Sequence, residues 1–317
     1  MKVLGVNELT GPDALQVFEI PTPEPGPGEI RIRVHAAAVN HTDVSFMTGA
    51  GSAGRALAGR RPPHVPGMDA AGVVDRIGPE TDGRLSVGDR VVALVVPTGP
   101  HGGAYAEYVV VPAASAVPAP ANVDFAAAAT LPLNGVSAQL ALEKLDLPPG
   151  RTVAVTGAAG AVGGFTVQLA KAAGLRVVAD TGPADKELIE SLGADLLVDR
   201  GPAVAATIRA ALPDGVDGLV DAAVLDAAVL PAIADGGALA VLLGWDGPVE
   251  RDITLHKVIT RTANTETDRL DLLCRQVEAG LVTPRVAQVF PADQARAAHT
   301  RFAAGGLRGR LVLDFSA

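Results

Sequence analysis

Residues 151–180 read RTVAVTGAAGAVGGFTVQLAKAAGLRVVAD and contain the pattern that decides the fold. Residues 152–156 are a short apolar, β-branched run, which is typical of a buried strand. Apolar residues at helical spacing follow, and a second β-branched run covers 176–179. Between the first strand and the helix lie three glycines at the spacing GxxGxxG: Gly157, Gly160 and Gly163. The order strand, glycine turn, helix, strand predicts a βαβ unit of the kind that binds dinucleotides.

Glycine at such a turn lets the backbone approach a pyrophosphate closely. The helix that follows offers unpaired N–H groups and the positive end of its dipole to the same charge. Glycines in a tight strand–helix turn also serve packing alone, so a structural role stays open. The residues of the turn that we expect to bind a cofactor are Gly157, Ala159, Gly160, Ala161, Val162 and Gly163.

Composition restricts the class of protein. The chain has 317 residues, enough for two domains or one large one, with 48% hydrophobic and only 3% aromatic residues. Its net charge of −9 gives no support for nucleic-acid or anionic-membrane partners. It has no run of apolar residues long enough to span a bilayer, and its start has no signal-peptide pattern. We therefore expect a soluble, cytoplasmic protein.

Strand and turn signals divide the chain into three segments. Residues 1–120 carry many short β-branched runs separated by Pro- and Gly-rich turns, which predicts an antiparallel, barrel-like β domain. Within it, residues 49–63 show no clear period and are predicted to be a mobile loop. Residues 121–258 alternate strands with helices, among them a helix predicted at 225–233 and a strand predicted at 238–244, and this alternation predicts a doubly wound parallel sheet. Residues 259–317 are predicted to return and complete the first domain.

Six further motifs occur in a fixed order along the chain: AVNHTD at 38–43, VPGMDAAGVV at 65–74, VGDRV at 87–91, GGAYAEY at 102–108, LP with GVSA at 131–138, and GRLVL at 309–313. Together with the glycine turn they resemble the medium-chain dehydrogenase/reductase superfamily, in its zinc-independent, zeta-crystallin-like quinone oxidoreductase branch. The resemblance covers nearly the whole chain. It implies a GroES-like catalytic domain, a Rossmann domain, a cleft between them and commonly a homodimer.

Residue types bear on a metal site. Zinc-dependent relatives carry a Cys–His–Glu set with the His in a Gly-His-Glu motif, and here that motif is Gly67-Met68-Asp69. The six histidines are scattered, and Cys274 is the only cysteine. We expect no catalytic zinc. Cys274 lies in an apolar-periodic helix and is predicted to be a buried small hydrophobe.

The end of the second Rossmann strand bears on the cofactor. By the resemblance, the acid-bearing position of NAD-dependent relatives falls on Thr181, which Gly182 follows, while Asp180 should point to the other face. Lys186 matches a family lysine near the 2′-phosphate, and Arg200 replaces a tyrosine at the same phosphate. These residues favour NADPH. In the alternative, both cations are solvated and Asp180 binds the ribose of NADH.

The resemblance places Asn40 and Asp43 at the nicotinamide end of the catalytic site. Asn40 would bind the nicotinamide ribose or the substrate carbonyl, and Asp43 would orient it. Ser137 takes the place of a family threonine near the carboxamide. Ser45 stands where quinone reductases often have a tyrosine, so the acceptor pocket is expected to be less aromatic. A turn residue at Asn40 and a helix cap at Asp43 stay open.

Two further features have open readings. Trp245 lies just past the end of a predicted Rossmann strand, where ligands bind, and it is expected to contact the cofactor together with Leu243 and Gly244. Trp245 would equally serve packing or a dimer interface. His41 replaces a usually apolar residue and is either a proton donor or a loop-packing residue.

The combined prediction is an NADPH-dependent enzyme that transfers hydride to a quinone or an α,β-unsaturated carbonyl without zinc. One alternative is a pathway-specific enone or enoyl reductase that acts on a bulky substrate. Another, of a different class, is an NADPH-binding redox sensor or structural protein without catalysis.

Overall fold

The computed structural model describes residues 1–316, and they form two compact units. The first unit holds Met1–Leu133, Arg261–Glu278 and residues from Pro284 onward. The second holds Asn134–Thr260 and Ala279–Thr283. The chain thus first changes unit after Leu133, whereas the sequence placed that change after residue 120.

The chain up to the change of unit contains β1 (Lys2–Gly5), β2 (Gln16–Glu19), β3 (Glu29–Ala38), α1 (His41–Met47), α2 (Ser52–Leu57), β4 (Asp69–Ile77), β5 (Arg90–Leu94), β6 (Tyr108–Pro112), β7 (Ala116–Pro118) and α3 (Phe125–Ala128). Helix α3 packs on β3 and β4, which keeps residues 121–133 with the first unit. Its N-cap is Asp124, whose side chain accepts the N–H of Ala127 at 2.8 Å.

The second part of the chain contains α4 (Pro132–Leu145), β8 (Thr152–Thr156), α5 (Ala161–Ala172), β9 (Arg176–Thr181), α6 (Lys186–Ser191), β10 (Leu196–Asp199), α7 (Val204–Ala211), β11 (Val216–Asp221), β12 (Ile233–Val241) and β13 (Thr254–Lys257). The C-terminal part contains α8 (Thr267–Glu278), β14 (Val286–Pro291), α9 (Ala295–Ala303) and β15 (Arg310–Asp314).

A mixed, mostly antiparallel sheet of seven strands builds the first unit, in the order β14-β15-β3-β4-β5-β7 with β6 also paired to β3. The C-terminal segment contributes β15 to this sheet, where it pairs antiparallel with β3. Long, mainly buried β3 is central because it pairs with β15, β4 and β6.

The predicted loop at 49–63 is wrong in part, because it contains helix α2. Leu57 of this helix is only 4% exposed and joins the core of the first unit. One buried leucine in a glycine-, alanine- and arginine-rich segment is too weak a periodic signal to indicate a helix. The short helix is therefore stabilised by packing against the core and not by an amphipathic pattern that the sequence would reveal.

The second unit is a six-stranded sheet, parallel throughout, in the order β10-β9-β8-β11-β12-β13. The strands are added outward from β8, first to β9 and β10 on one side and then to β11, β12 and β13 on the other. This strand order is that of a doubly wound dinucleotide-binding fold. The α/β prediction is confirmed. Val153 and Val155 join the core on one face of the sheet, and Ala154 joins the core on the other. Both faces are covered, which is why these strands read as continuous apolar runs.

Two predicted elements of this unit differ from the structure. The predicted helix at 225–233 is a 3₁₀ turn at Asp226–Ala232, because Pro231 lies inside it and removes a backbone donor. The predicted strand at 238–244 runs instead from Ile233 to Val241, and the chain at Leu243 and Gly244 lies outside any strand. Strand β13, which the sequence analysis did not identify, adds the outer edge.

Close packing fixes the turn between β8 and α5. Gly157 has a φ of +63°, a conformation that favours glycine. A Cβ on Gly163 would lie 2.2 Å from the carbonyl oxygen of Gly157. The turn can therefore close only while residue 163 has no side chain.

Among residues 1–316, no helix combines the length and the apolar character needed to cross a membrane.

We expect Gly163→Ala to lower the free energy of unfolding by about 2–3 kcal/mol, because the new methyl group forces the turn open. Chemical denaturation followed by circular dichroism measures this loss. Gly182→Ala is the control, since its Cβ would meet only Asp185 Oδ2 at 3.7 Å. Equal stability of the two variants would contradict the packing argument.

Candidate functional site

In the second unit, the carboxyl ends of β8 and β9 meet at the glycine turn. Gly160 is the N-cap of α5, and its N–H donates to the carbonyl of Gly157 at 2.9 Å. The first N–H groups of a helix have no partner within the helix. Ala161 and Val162 begin α5 and are half-buried, while Ala159 is buried. The structure thus brings the predicted turn residues together at one helix N-terminus.

Asp180, near the end of β9, is tied to this turn. Its Oδ1 accepts the N–H of Ala158 at 2.9 Å, and the residue is 1% exposed. Thr181 comes next; it is buried, and its hydroxyl donates to the carbonyl of Gly182 at 3.0 Å. Asp180 therefore acts first as an anchor for the glycine turn.

The two cations predicted to bind a phosphate differ in their surroundings. Lys186 begins α6 and is exposed. Arg200 follows β10, and its backbone N–H donates to the carbonyl of Thr181. Its guanidinium pairs with Asp185 at 3.1 Å and lies 3.7 Å from Asp180 Oδ2. Arg200 is therefore held by acids rather than freely solvated.

Other predicted cofactor residues of this unit fall into two groups. The Ser137 hydroxyl on α4 lies 2.6 Å from the Thr260 hydroxyl, and both residues are buried. Past the end of β12, Leu243 is 60% exposed and Gly244 has a φ of +80°. Trp245 packs against the core that contains Val241, which fits its packing role.

In the first unit, Asp43 caps a helix from within. Its Oδ2 accepts the backbone N–H of Asn40 at 2.8 Å, the reciprocal bond of a capping box at the start of α1. Its carboxylate also accepts the N–H of Gly67 at 3.2 Å and the hydroxyl of Tyr105 at 3.1 Å. Asp43 therefore occupies the helix-capping position that the sequence analysis had left open.

Asn40 is equally buried and faces a second carboxylate. Its Nδ2 donates to Asp69 Oδ2 at 2.6 Å, and the Leu133 N–H donates to Asp69 Oδ1 at 2.6 Å. Both Asn40 and Asp43 are 1% exposed, whereas Ser45 on the same helix is exposed. The structure thus joins Asn40 and Asp43 in one network and leaves Ser45 outside it.

Burial dominates the electrostatics of this network. It raises the pKa of Asp43 and that of Asp69 to about 7, against the hydrogen bonds that favour ionisation. The cation facing them is Arg310 of β15, whose own pKa burial lowers to about 10. Tyr105 completes the network, and its hydroxyl lies 3.2 Å from Nε2 of buried His299. Burial lowers the pKa of His299 to about 4.

The network does not fit a zinc ion. Met68 occupies the histidine position of the zinc motif, and the Asp69 carboxylate is already bonded by an amide and a backbone N–H. In the part of the chain that the structure describes, no group of three or more His, Cys, Asp or Glu residues could hold a metal. Cys274 is buried, and burial raises the pKa of its thiol to about 12.

Sequence reasoning missed the partners of this network. Asp69 was considered only as a zinc-motif position, while Tyr105 and Arg310 lay in quoted motifs without a role. The charged and phenolic residues inside otherwise apolar motifs were the available signal, because a buried charge needs a partner. His41 was predicted to be either a proton donor or a loop-packing residue. Its ring meets that of Phe302 edge-on, with the two ring centroids 4.7 Å apart.

A GroES-like unit and a doubly wound parallel sheet with a glycine turn define a dinucleotide-dependent oxidoreductase. The chain matches the alcohol dehydrogenase GroES-like domain over residues 26–121 and the zinc-binding dehydrogenase domain over residues 192–313. It is 32% identical to an alcohol dehydrogenase of Geobacillus stearothermophilus, over 99% of each chain. The chain belongs to the medium-chain dehydrogenase/reductase family.

Other relatives differ in function and length. The chain is 35% identical to a chloroplastic quinone oxidoreductase of Triphysaria versicolor, a match that spans 60% of this chain and 57% of that protein. It is 33% identical to a chloroplastic NADPH-dependent alkenal/one oxidoreductase of Arabidopsis thaliana, over 90% of this chain and 72% of that protein.

Solved structures agree on the architecture. An NAD-dependent alcohol dehydrogenase superposes with a TM-score of 0.87 at 32% identity, over all of both chains. A mycobacterial protein in complex with NADPH superposes with a TM-score of 0.84 at 29% identity, over 99% of this chain and 100% of that chain.

We expect Arg310→Met to destabilise the protein by about 3–5 kcal/mol at about pH 8, since it leaves two buried carboxylates without their cation. Because the folded-state pKa values of Asp43 and Asp69 are raised, the folded protein takes up protons as the pH falls through about 7. Protonation relieves the unpaired charges, so the loss should be smaller at about pH 6.

Urea denaturation at the two pH values measures this difference. Arg308→Met, at an exposed position on the same segment, serves as the control. A loss that is independent of pH, or no larger than in the control, would refute the assigned role of Arg310.

Proposed function

We propose that the protein is an NADPH-dependent oxidoreductase that transfers hydride to a quinone or an α,β-unsaturated carbonyl without zinc. The hydrogen bond from Asn40 Nδ2 to Asp69 Oδ2, at 2.6 Å, carries the proposal. Asp69 stands in the motif Gly67-Met68-Asp69, whose counterpart in metal-dependent relatives binds zinc. Here its carboxylate is engaged by Asn40 instead. Relatives that are named quinone oxidoreductase and NADPH-dependent alkenal/one oxidoreductase support the substrate class.

Residues of the second unit fit the cofactor. The half-exposed N-terminus of α5 suits a pyrophosphate, and Lys186 and Arg200 suit a 2′-phosphate. The remaining residues that we assign to cofactor binding are Thr181, Gly182, Leu243, Gly244 and Trp245. NADPH, when bound, supplies a hydride to an electrophilic carbon of the acceptor.

Without a metal, the acceptor must already be polarised. An alkoxide formed from an ordinary alcohol would lack the Lewis acid that normally stabilises it. A quinone or an enone spreads the developing negative charge over a conjugated system, so a hydrogen-bond donor suffices. This chemistry favours reduction of activated acceptors over oxidation of alcohols.

Asn40 and Asp43 are buried, so we assign them a positioning role rather than a direct contact with the substrate. Asp43 holds the start of α1 to Gly67, and Asn40 holds the same start to Asp69. We propose that the pair positions α1, whose exposed Ser45 faces outward for contact with the acceptor. A direct hydrogen bond from Asn40 to the nicotinamide ribose stays a prediction.

The test is a panel of acceptors with purified protein, followed through the absorbance of reduced nicotinamide. We expect NADPH oxidation with 9,10-phenanthrenequinone or with a short 2-alkenal. Turnover of simple primary alcohols with NADP⁺, and none of either acceptor, would overturn the proposal. Such a result would place the activity with that of the Geobacillus alcohol dehydrogenase.

We expect Ser137→Ala to raise the KM for NADPH severalfold, on the order of 1 kcal/mol, because the hydroxyl pair with Thr260 loses one member. Steady-state kinetics measures the change. Thr207→Ala is the matched control: Thr207 is a half-buried residue on α7 of the same unit, and its hydroxyl donates to the carbonyl of Ala203, the N-cap of that helix, at 3.1 Å. An unchanged KM in Ser137→Ala would remove Ser137 from the cofactor site.

Two alternatives are distinguished by the same panel. Turnover only of bulky enones would indicate a pathway-specific enone or enoyl reductase. NADPH binding without turnover of any activated acceptor would indicate a sensor or structural protein. The homodimer and the cytoplasmic location stay predictions.

A further inference from the structure

One segment of this acidic chain carries only positive charge. Residues 44–68 contain three arginines, Arg55, Arg60 and Arg61, and no aspartate or glutamate, whereas the whole chain has a net charge of −9. Residues 91–106, which are hydrogen-bonded to this segment, also contain no acidic residue. We call residues 44–68 the basic segment. Its composition gives the first unit a local positive charge against the negative background of the protein.

Both ends of the basic segment are fixed to the buried carboxylate network. At its start, Asp43 holds helix α1, and the carbonyl of Ser45 on that helix accepts the N–H of Ala50 at 2.9 Å. At its end, the N–H of Gly67 donates to Asp43 Oδ1 at 3.2 Å. The residues between these ends are therefore tied to the helix that carries Ser45, the residue that we assign to contact with the acceptor.

Arg60 is held in place within the basic segment. Its backbone N–H donates to the carbonyl of Leu57 at 3.0 Å, and the Leu57 side chain is buried in the core of the first unit. Its Nη1 donates to the carbonyl of Gly99 at 2.8 Å, while the residue itself is exposed. A guanidinium has five N–H donors, so four stay available to a ligand. An exposed arginine that is already oriented in this way is suited to binding a phosphate.

No carboxylate neutralises the basic segment. Among residues 1–316, none of its three exposed arginines forms a salt bridge with an acidic side chain. By contrast, the exposed Arg76 on β4 pairs with Glu24 at 2.6 Å. Burial, and after it the charge of Arg60, lowers the pKa of His64. The positive charge of Arg60 is thus felt by its neighbours and is available to an anion.

We propose that the basic segment binds a phosphate group that the acceptor carries at a distance from the carbon that receives the hydride. This inference rests on the proposed function and narrows its substrate class. A phosphate monoester carries about two negative charges, which a group of unpaired arginines can match. A carboxylate carries one charge and needs only one arginine. The substrate is then a quinone or an enone with a phosphorylated tail, and Arg60 is its main phosphate ligand.

The test compares three inhibitors that share an eight-carbon chain: octyl phosphate, octanoate and octanol. Each is added at saturating NADPH against 9,10-phenanthrenequinone or a short 2-alkenal, whichever the protein reduces. We expect octyl phosphate to compete with the acceptor, with an inhibition constant about tenfold or more below those of octanoate and octanol. Its advantage should shrink as the salt concentration rises, because salt screens exposed charges.

Arg60→Gln should raise the inhibition constant of octyl phosphate about tenfold and leave that of octanol unchanged. Turnover of the neutral acceptor should also stay unchanged, since it carries no phosphate. Arg76→Gln is the matched control, because it removes the same charge from another exposed position of the first unit. Arg61→Gln is a second variant that does not disturb the bond to Gly99, and a severalfold rise is expected.

Equal inhibition by octyl phosphate and octanol, or a preference for octanoate, would overturn the inference. So would inhibition that competes with NADPH instead of the acceptor, or an equal rise in Arg60→Gln and Arg76→Gln. Absence of turnover with both acceptors would overturn the proposed function together with the inference. Turnover of either acceptor without selective inhibition by octyl phosphate would defeat the inference alone.

Discussion

Two buried carboxylates organise the first unit, because each must find donors away from water. Asp43 is bonded by Asn40, Gly67 and Tyr105, and Asp69 by Asn40 and Leu133. These partners come from the start of α1, the turn before β4, the segment before β6 and the start of α4. The network therefore fixes the loops around the end of β3 as one body, with Arg310 as the facing cation.

The second unit uses carboxylates in the same way at the ends of its strands. Asp221, which ends β11, accepts the Thr156 hydroxyl at 2.6 Å and the N–H groups of Leu225 and Asp226 at 2.7 Å. Asp180 anchors the glycine turn. Carboxylate–backbone bonds thus hold the turns that follow β8 and β11 at the carboxyl ends of the strands.

Sequence patterns predicted the elements that are stabilised by interactions between residues close together in the chain. The βαβ unit was evident because Thr152–Thr156 and the glycine turn carry their signal within thirty residues. Helix α2 was missed because a single buried leucine fixes it. The Asn40–Asp69 bond joins residues 29 positions apart, and the Arg200 pairs depend on strand register. No periodicity reports such contacts, so the site's partners emerged only from the structure.

An amide–carboxylate bond stands where metal-dependent relatives bind zinc, and we propose that hydride transfer in this protein proceeds without a metal. The decisive measurement is metal content together with the turnover of a quinone or an alkenal with NADPH, both on the same protein sample. We expect full turnover with far less than one zinc per chain, unchanged by a chelator. Stoichiometric zinc whose removal abolishes turnover, and whose return restores it, would contradict metal-free hydride transfer.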